Sequence, residues 1–555
     1  MRSTWHFVCE LEDVFPDSGV AALVEERQIA LFRVGDQVYA LDNFDPNSEA
    51  NVLARGLVGD VNGEPVVASP VYKQHFSLIT GRCIEDPERS VLAYPARVSE
   101  GRVWVKSVPI RAAQRTRRLV VIGNGMAGMK VVEDLLQIAP TAYQIVVFGA
   151  EPHPNYNRIL LSPVLAGEKT MQDIVLNPFE WYRDKGVELH IDDPVVAIDR
   201  KRRTVTAKSG TVVNYDRLLL ATGSNPIMLP VPGNDLPGVV TFRDLQDVDT
   251  MLQAARSYRK AVVIGGGLLG LEAANGLLKQ GMDVTVVHIF DTLMERQLDR
   301  AAATMLRESL EKRGLKFVMP AKTVAINGYG LQATGYGSDP EAALQPEVSV
   351  SSAPATAYSL QPTASAPAPA RVAGVEFEDG REIEADLVIM AAGIRPNIEL
   401  AISAGLRCDR GVLVNDTMQT FDPSIYAVGE CVQHRNSTYG LIAPLFEQAN
   451  VCATHLAEFG IGRYAGSLVS TQLKVTGIDL FSAGDFLGGP TSEALVLRDA
   501  KRGIYKRVVI EKNRVLGAVL YGDVKDGPWY FELMTQGLDI GPLRDKLLFG
   551  SAFMK

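Results

Sequence analysis

The spacing of apolar positions changes character part-way along the chain. From Trp5 to Lys106 it runs in short stretches, Gln28–Val34, Val38–Asp42, Glu64–Ser69, Phe76–Ile79 and Val103–Val105, broken by turn signals such as Gly35-Asp36 and Gly81. Short β-type runs between turns predict a small antiparallel β domain over residues 1–110. A basic stretch, 111–118, reads as a linker. Beyond it, apolar strands (Leu119–Ile122, Gln144–Phe148, Ala261–Ile264, Asp283–Val287) alternate with helical periodicity at Met129–Ile138 and Leu271–Lys279. That alternation predicts parallel α/β lobes. From about Gly466 the strands Leu495–Leu497, Tyr505–Glu511 and Val515–Tyr521 predict a closing α+β domain, 466–555.

One segment fits none of these patterns. Residues 332–370 are mostly Ala, Pro, Ser and Thr, a composition that buries too little apolar surface to offset ordering, so a disordered excursion is expected. It lies between the strand-like Thr323–Asn327 and Val372–Phe377 and so lengthens a hairpin loop without dividing a domain.

Composition narrows the function classes. A chain of 555 residues calls for several domains, and a net charge of -9 argues against a general nucleic-acid binder, which needs a basic face. No apolar run reaches the roughly 18 residues of a membrane span. Glu10, Glu12 and Asp13 follow the N-terminus too soon for a secretory signal, so the cytoplasm is expected. The five cysteines include no C-x-x-C pair, which removes the usual redox dithiol, clustered iron–sulfur and zinc-ribbon motifs, and no metal is expected.

Two glycine motifs carry the chemistry. Strand Leu119–Ile122 runs into Gly123-Asn124-Gly125-Met126-Ala127-Gly128 and then a helix, with Glu151 beyond the next strand. Gly123 permits the tight turn, Gly125 lets backbone approach a pyrophosphate, and Gly128 lets helix and strand pack. The helix N-terminus, opening at Met126 and Ala127, offers N–H groups to phosphate, and Glu151 would accept from a ribose. The second copy is Gly265-Gly266-Gly267-Leu268-Leu269-Gly270, with Gly265, Gly267, Leu268, Leu269 and Gly270 in the equivalent roles. Here the acid is missing and His288 stands near the ribose-reading position, leaving NADH versus NADPH open.

Two fingerprints about 140 residues apart, in this order, resemble the two-dinucleotide-binding flavoprotein superfamily over about Arg117 to Ala465. The resemblance implies an FAD domain at 119–238 and 386–465 interrupted by an NAD(P) domain at 239–385. Ala221-Thr222-Gly223 would close the first FAD segment, and Ala391–Asn397, with Gly393, would mark the return. TFDPSIYAVGE, Thr420–Glu430, matches the second flavin motif, in which Gly429 precedes Glu430 and the acid holds the ribityl chain. By the same resemblance Glu272 faces the nicotinamide, and Gln448 and Ala449 open a helix capping the flavin ring.

The stretch Tyr156–Pro163, with Arg158 and Ser162 as expected flavin-site contacts, contains no cysteine. Disulfide reductases and NADH oxidases are set aside on that ground. Ferredoxin and rubredoxin reductases end a related stretch in Ser-Lys, where this chain has Ser162-Pro163. NRILLSPVLAGEK (Asn157–Lys169) and VTGIDLFSAGDF (Val475–Phe486) instead resemble the NAD(P)H nitrite reductase large subunit. The N-terminal domain is similar to a Rieske domain, and Tyr39–Asp60 to the family's cluster-less small subunit. Asn43, Asp45, Ser69 and Tyr72 occupy the four ligand positions, and His75 is expected to be structural.

The resemblance therefore implies an electron-transfer component that binds FAD and NADH or NADPH. It would pass electrons to a separate siroheme nitrite reductase or molybdopterin nitrate reductase, because the family's cysteine-rich and siroheme segments are absent from this sequence. Rival readings are a ferredoxin or rubredoxin reductase and a non-catalytic flavin sensor or docking module; a homodimer is left open. Lys501, Arg502, Lys506, Arg507, Lys512 and Arg514 form a basic cluster that reads first as a solvated face, with steering of an acidic partner as the alternative. The predicted fold class is multidomain: a Rieske-like antiparallel β domain, then an α/β glutathione-reductase-like flavoprotein with a C-terminal α+β domain.

Overall fold

The structure, a computed structural model, describes residues 5–61, 63–109, 117–329, 371–458, 461–475 and 478–553. The excursion expected at 332–370 and most of the 111–118 linker lie outside the described residues. The chain forms two compact units, Met1–Thr116 and Arg117–Lys555.

The first unit is antiparallel β. Gly19–Val24, Arg27–Val34, Gln37–Asp42 and Ala93–Tyr94 form one sheet; Trp5–Glu10, Ala96–Ser99 and Arg102–Lys106 form a second, and Leu57–Val61, Glu64–Ala68 and His75–Ser77 a third. Strand side chains alternate between faces. Arg27–Val34 therefore sends Ala30 and Phe32 into one core and Ile29 and Leu31 into another. His75 donates its backbone N–H to Glu85 and bonds it again through Nδ1 at 2.6 Å, a surface pairing that gives this histidine a structural role.

In the second unit, five parallel strands build the first lobe in the order Glu188–His190, Tyr143–Phe148, Arg117–Ile122, Arg217–Leu220, Ile425–Ala427. The second lobe repeats the plan with Val239–Thr241, Leu387–Met390, Lys260–Ile264, Asp283–Val287 and Lys316–Val318. Leu387–Met390 belongs to this second sheet, so the return to the first lobe comes after Met390 and not at 386. The two crossings are zipped together, because Ser224–Pro226 pairs antiparallel with Ile394–Pro396. Thr323–Gly328 and Val372–Phe377 pair as the hairpin whose loop carries the 332–370 segment.

The C-terminal domain is a five-stranded antiparallel sheet with the helix Gly527–Gln536 against it. It docks on the second lobe. Ile478, Leu480, Val519 and Tyr521 share a core with Leu298, Ala302 and Leu306, and the Tyr505 hydroxyl donates to Asp299 at 2.6 Å. Two members of the basic cluster are neither solvated nor free to dock. Lys506 is 5% exposed and lies between Asp523 at 3.0 Å and Asp526 at 3.2 Å. Arg507 donates to the carbonyls of Phe486 and Leu487. A lysine is buried at acceptable cost only when its charge is met, and two carboxylates meet this one.

Candidate functional site: two glycine cradles

Each fingerprint folds the same way. Gly123 has φ +114°, and a Cβ there would sit 2.1 Å from the Ala221 carbonyl oxygen; Gly265 has φ +132° and would meet the Ala391 oxygen at 2.2 Å. Gly128 and Gly270 pack against the turns themselves. A Cβ on Gly128 would lie 2.8 Å from the Gly123 carbonyl oxygen, and one on Gly270 would lie 1.9 Å from that of Gly265. The middle glycines behave differently. A Cβ on Gly125 or Gly267 meets nothing within 4 Å. Both are N-caps, of the helices Met126–Ile138 and Leu268–Lys279, and neither helix start receives a side-chain cap. The result is two open cradles of unmet N–H groups at positive helix ends, which suits a pyrophosphate in each lobe.

Around the first cradle the expected residues are drawn into one polar chain. Glu151 accepts from the Tyr156 hydroxyl at 2.6 Å and is ion-paired with Arg158, which also donates to the Arg243 carbonyl at 3.0 Å. Glu430 accepts from Ser224 at 2.8 Å and is ion-paired with Arg243. Thr222 donates to the Asn397 carbonyl at 2.7 Å, and Asn397 returns its N–H to Gly223, fastening the two lobe crossings. Gly393 turns with φ +117° and Gly429 with φ +91°; a Cβ on Gly429 would lie 3.0 Å from that of Ala127.

Two expectations are revised. Gln448 and Ala449 do not open a helix, because the helix runs Ile442–Leu456 and both are mid-helix and fully buried. Gln448 accepts the Gly429 N–H at 3.0 Å and so positions the residue before Glu430, while Ala449 is core. His288 does not reach outward as a ribose reader, since it is 7% exposed and both ring nitrogens are engaged, by Gly266 and by Glu295. Sequence reasoning also missed supporting residues. Asn124, inside the first turn, accepts from Tyr182 at 2.7 Å, and Arg243 carried no motif at all.

Ser162 and Glu272, predicted separately and 110 positions apart, meet: the serine hydroxyl donates to the carboxylate at 2.7 Å across the two lobes. Burial pushes the Glu272 carboxyl above its ordinary range, and the Ser162 bond pulls it partly back. A carboxyl of this kind can hold a proton where an exposed one would not. Ser162→Ala is expected to move the pH dependence of NADH-driven flavin reduction upward, since burial then acts unopposed. Anaerobic stopped-flow reduction across pH measures it, and an unmoved profile detaches Glu272 from that step.

Residues 117–342 and 359–454 match the family model described as pyridine nucleotide-disulphide oxidoreductase. The chain belongs to that family. The family's description names a pyridine nucleotide, and the two cradles fit two dinucleotides. Residues 470–538 match the rubredoxin NAD+ reductase C-terminal domain, and residues 4–106 a Rieske-like [2Fe-2S] domain. The chain is 46% identical to the nitrite reductase [NAD(P)H] of Bacillus subtilis (76% of this chain, 48% of that protein). It is 39% identical to the same organism's assimilatory nitrate reductase electron transfer subunit (78% and 51%). It thus spans about half the length of these relatives. The fold matches the putidaredoxin reductase–putidaredoxin complex with TM-score 0.65 and 24% identity, over 77% of this chain and 95% of that one.

The Rieske-like unit of this oxidoreductase does not fit the cluster its family model names. A [2Fe–2S] centre of that type needs two cysteines and two histidines. Here Asp45 is fully buried and accepts from Ser69 at 2.6 Å, Ser48 at 2.9 Å and the Asn47 N–H at 2.9 Å. Asn43 accepts the Ala54 N–H at 2.8 Å, and Tyr72 is exposed. The two loops that would share a cluster are joined by a carboxylate and a hydroxyl.

Proposed function

We propose that this oxidoreductase takes hydride from NAD(P)H and delivers the electrons to a separate nitrite- or nitrate-reducing protein carrying siroheme or molybdopterin. Bound FAD supplies the hydride acceptor and the release of electrons to that partner. The chain's residues supply the rest: two helix N-termini hold the nucleotides, the Glu151–Arg158 and Arg243–Glu430 pairs line the first cradle, and Ser162 with Glu272 controls a proton between the lobes. The observation that carries the reading is the 39% identity to an assimilatory nitrate reductase electron transfer subunit, spread over 434 residues. The absence of cysteine from Tyr156–Pro163 agrees with it, leaving no thiol there to act as terminal acceptor.

The proposed division is a Rieske-like domain to about residue 110, an FAD domain in two segments around an NAD(P) domain, and a C-terminal domain from about 466. Among the described residues no helix is long and apolar enough to cross a membrane, and a cytoplasmic site of action is part of the proposal. The match of 470–538 to a rubredoxin reductase domain favours a second reading, reduction of a small redox protein. Anaerobic mixtures of the FAD-loaded chain, NADH and either a siroheme nitrite reductase, a molybdopterin nitrate reductase, rubredoxin or ferredoxin separate the two. Nitrite or nitrate consumption dependent on the chain is the expected result; rapid reduction of rubredoxin or ferredoxin alone overturns it.

A further inference from the structure

In the second lobe the strand Asp283–Val287 ends at His288, where an acid would ordinarily meet the ribose. The imidazole faces inward. Its Nδ1 accepts the Gly266 N–H at 3.0 Å, which places the proton on Nε2, and Nε2 donates to Glu295 at 3.1 Å. Both nitrogens are thereby spent on the protein.

The chain then doubles back to the same glycine. Met294 is buried in the left-handed region with φ +51°, and its N–H donates to the Gly266 carbonyl at 3.1 Å. Gly266 lies between the glycine that makes the turn and the one that opens the cradle. It is held on its N–H side by His288 and on its carbonyl side by Met294, and the residue after Met294 is Glu295. Glu295 is therefore brought to the turn by two independent contacts, with its side chain 30% exposed. One of its oxygens takes the imidazole proton, and a carboxylate retains capacity for further donors.

We infer that Glu295 is the ribose acceptor of the second nucleotide and makes this site selective for NADH over NADPH. A ribose diol donates to a carboxylate. A 2′-phosphate in the same place brings like charge against it, and the rejection is electrostatic. The neighbouring Arg300 is occupied by Asp291 and is not held out as a phosphate clamp. The exposed Arg296, next to Glu295, is the rival that would favour the phosphate.

The inference rests on the second lobe taking the nicotinamide nucleotide, and binding without turnover tests the two separately. NAD+ and NADP+ are titrated calorimetrically into the FAD-loaded full chain, as wild type, Glu295→Gln, Glu295→Asp and Arg296→Ala. Wild type is expected to bind NAD+ about tenfold or more tighter than NADP+. Glu295→Gln keeps an acceptor for His288 but drops the charge, so the preference should collapse while flavin content stays. Glu295→Asp should keep the preference at weaker affinity. Tighter NADP+ binding by wild type, a preference unchanged in Glu295→Gln, or loss of NADP+ binding in Arg296→Ala alone would overturn the assignment. Binding of neither nucleotide by wild type would overturn the reading of the lobe itself.

Discussion

Gly123→Ala is expected to yield a chain that purifies without flavin, whereas Gly265→Ala yields one that keeps its flavin and cannot use NADH. The two glycines make the same turn, with φ +114° and +132°, and a methyl on either would stand 2.1 or 2.2 Å from a backbone oxygen. No rotamer relieves a Cβ clash, so the turn itself must move, and N–H groups aimed at a pyrophosphate lose their aim. On the proposed function the two turns hold different nucleotides, so the phenotypes should separate. Visible absorbance after gel filtration reads the first. For Gly265→Ala, NADH reduction of the flavin should slow by about two orders of magnitude, about 3 kcal/mol of lost binding, while dithionite still bleaches it. Loss of flavin from both variants would mean that the lobes do not act separately.

Lys506→Glu should destabilise the C-terminal domain by about 3–5 kcal/mol, the range for breaking a buried pair. It sets a third carboxylate beside Asp523 and Asp526, in a site where the lysine is 5% exposed. Lys506→Met should cost less, because it strands the two aspartates without adding charge. Thermal and urea unfolding of the full chain give the comparison. Equal stability of Lys506→Glu and wild type would return the lysine to the surface and restore a part for it in partner steering.

The lobe architecture was legible because its signals are local. Gly128 and Gly270 are required by contacts within one strand–turn–helix unit, and such a unit fits in a few adjacent residues. What stayed hidden depends on chain that returns from afar. Leu387–Met390 is an apolar strand whose pattern says nothing about which sheet receives it. The helix at Ile442 starts after Leu441 without a capping side chain, which removed the usual start signal and left Gln448 misplaced. Lys506 reads as basic surface until Asp523 and Asp526 fold against it. Ser162 and Glu272 were each identified, but their meeting across the lobes is a fact of tertiary packing.

The joint made by Asp45 and Ser69 changes what the first unit is sensitive to. Burial raises the Asp45 pKa, yet the bonds from Ser69, Asn47 and Ser48 outweigh it and leave the carboxyl below its ordinary value. The staple is thus fully fastened above the unfolded-state pKa and loosens as pH falls through the lower, folded one. Chelators and dioxygen find nothing at that joint to strip or oxidise, and no iron delivery is needed to close it. Where a cluster would join the two loops of a Rieske domain, here a carboxylate already ionised in the unfolded chain above its ordinary pKa joins them by accepting hydrogen bonds, with no proton to lose as the loops meet.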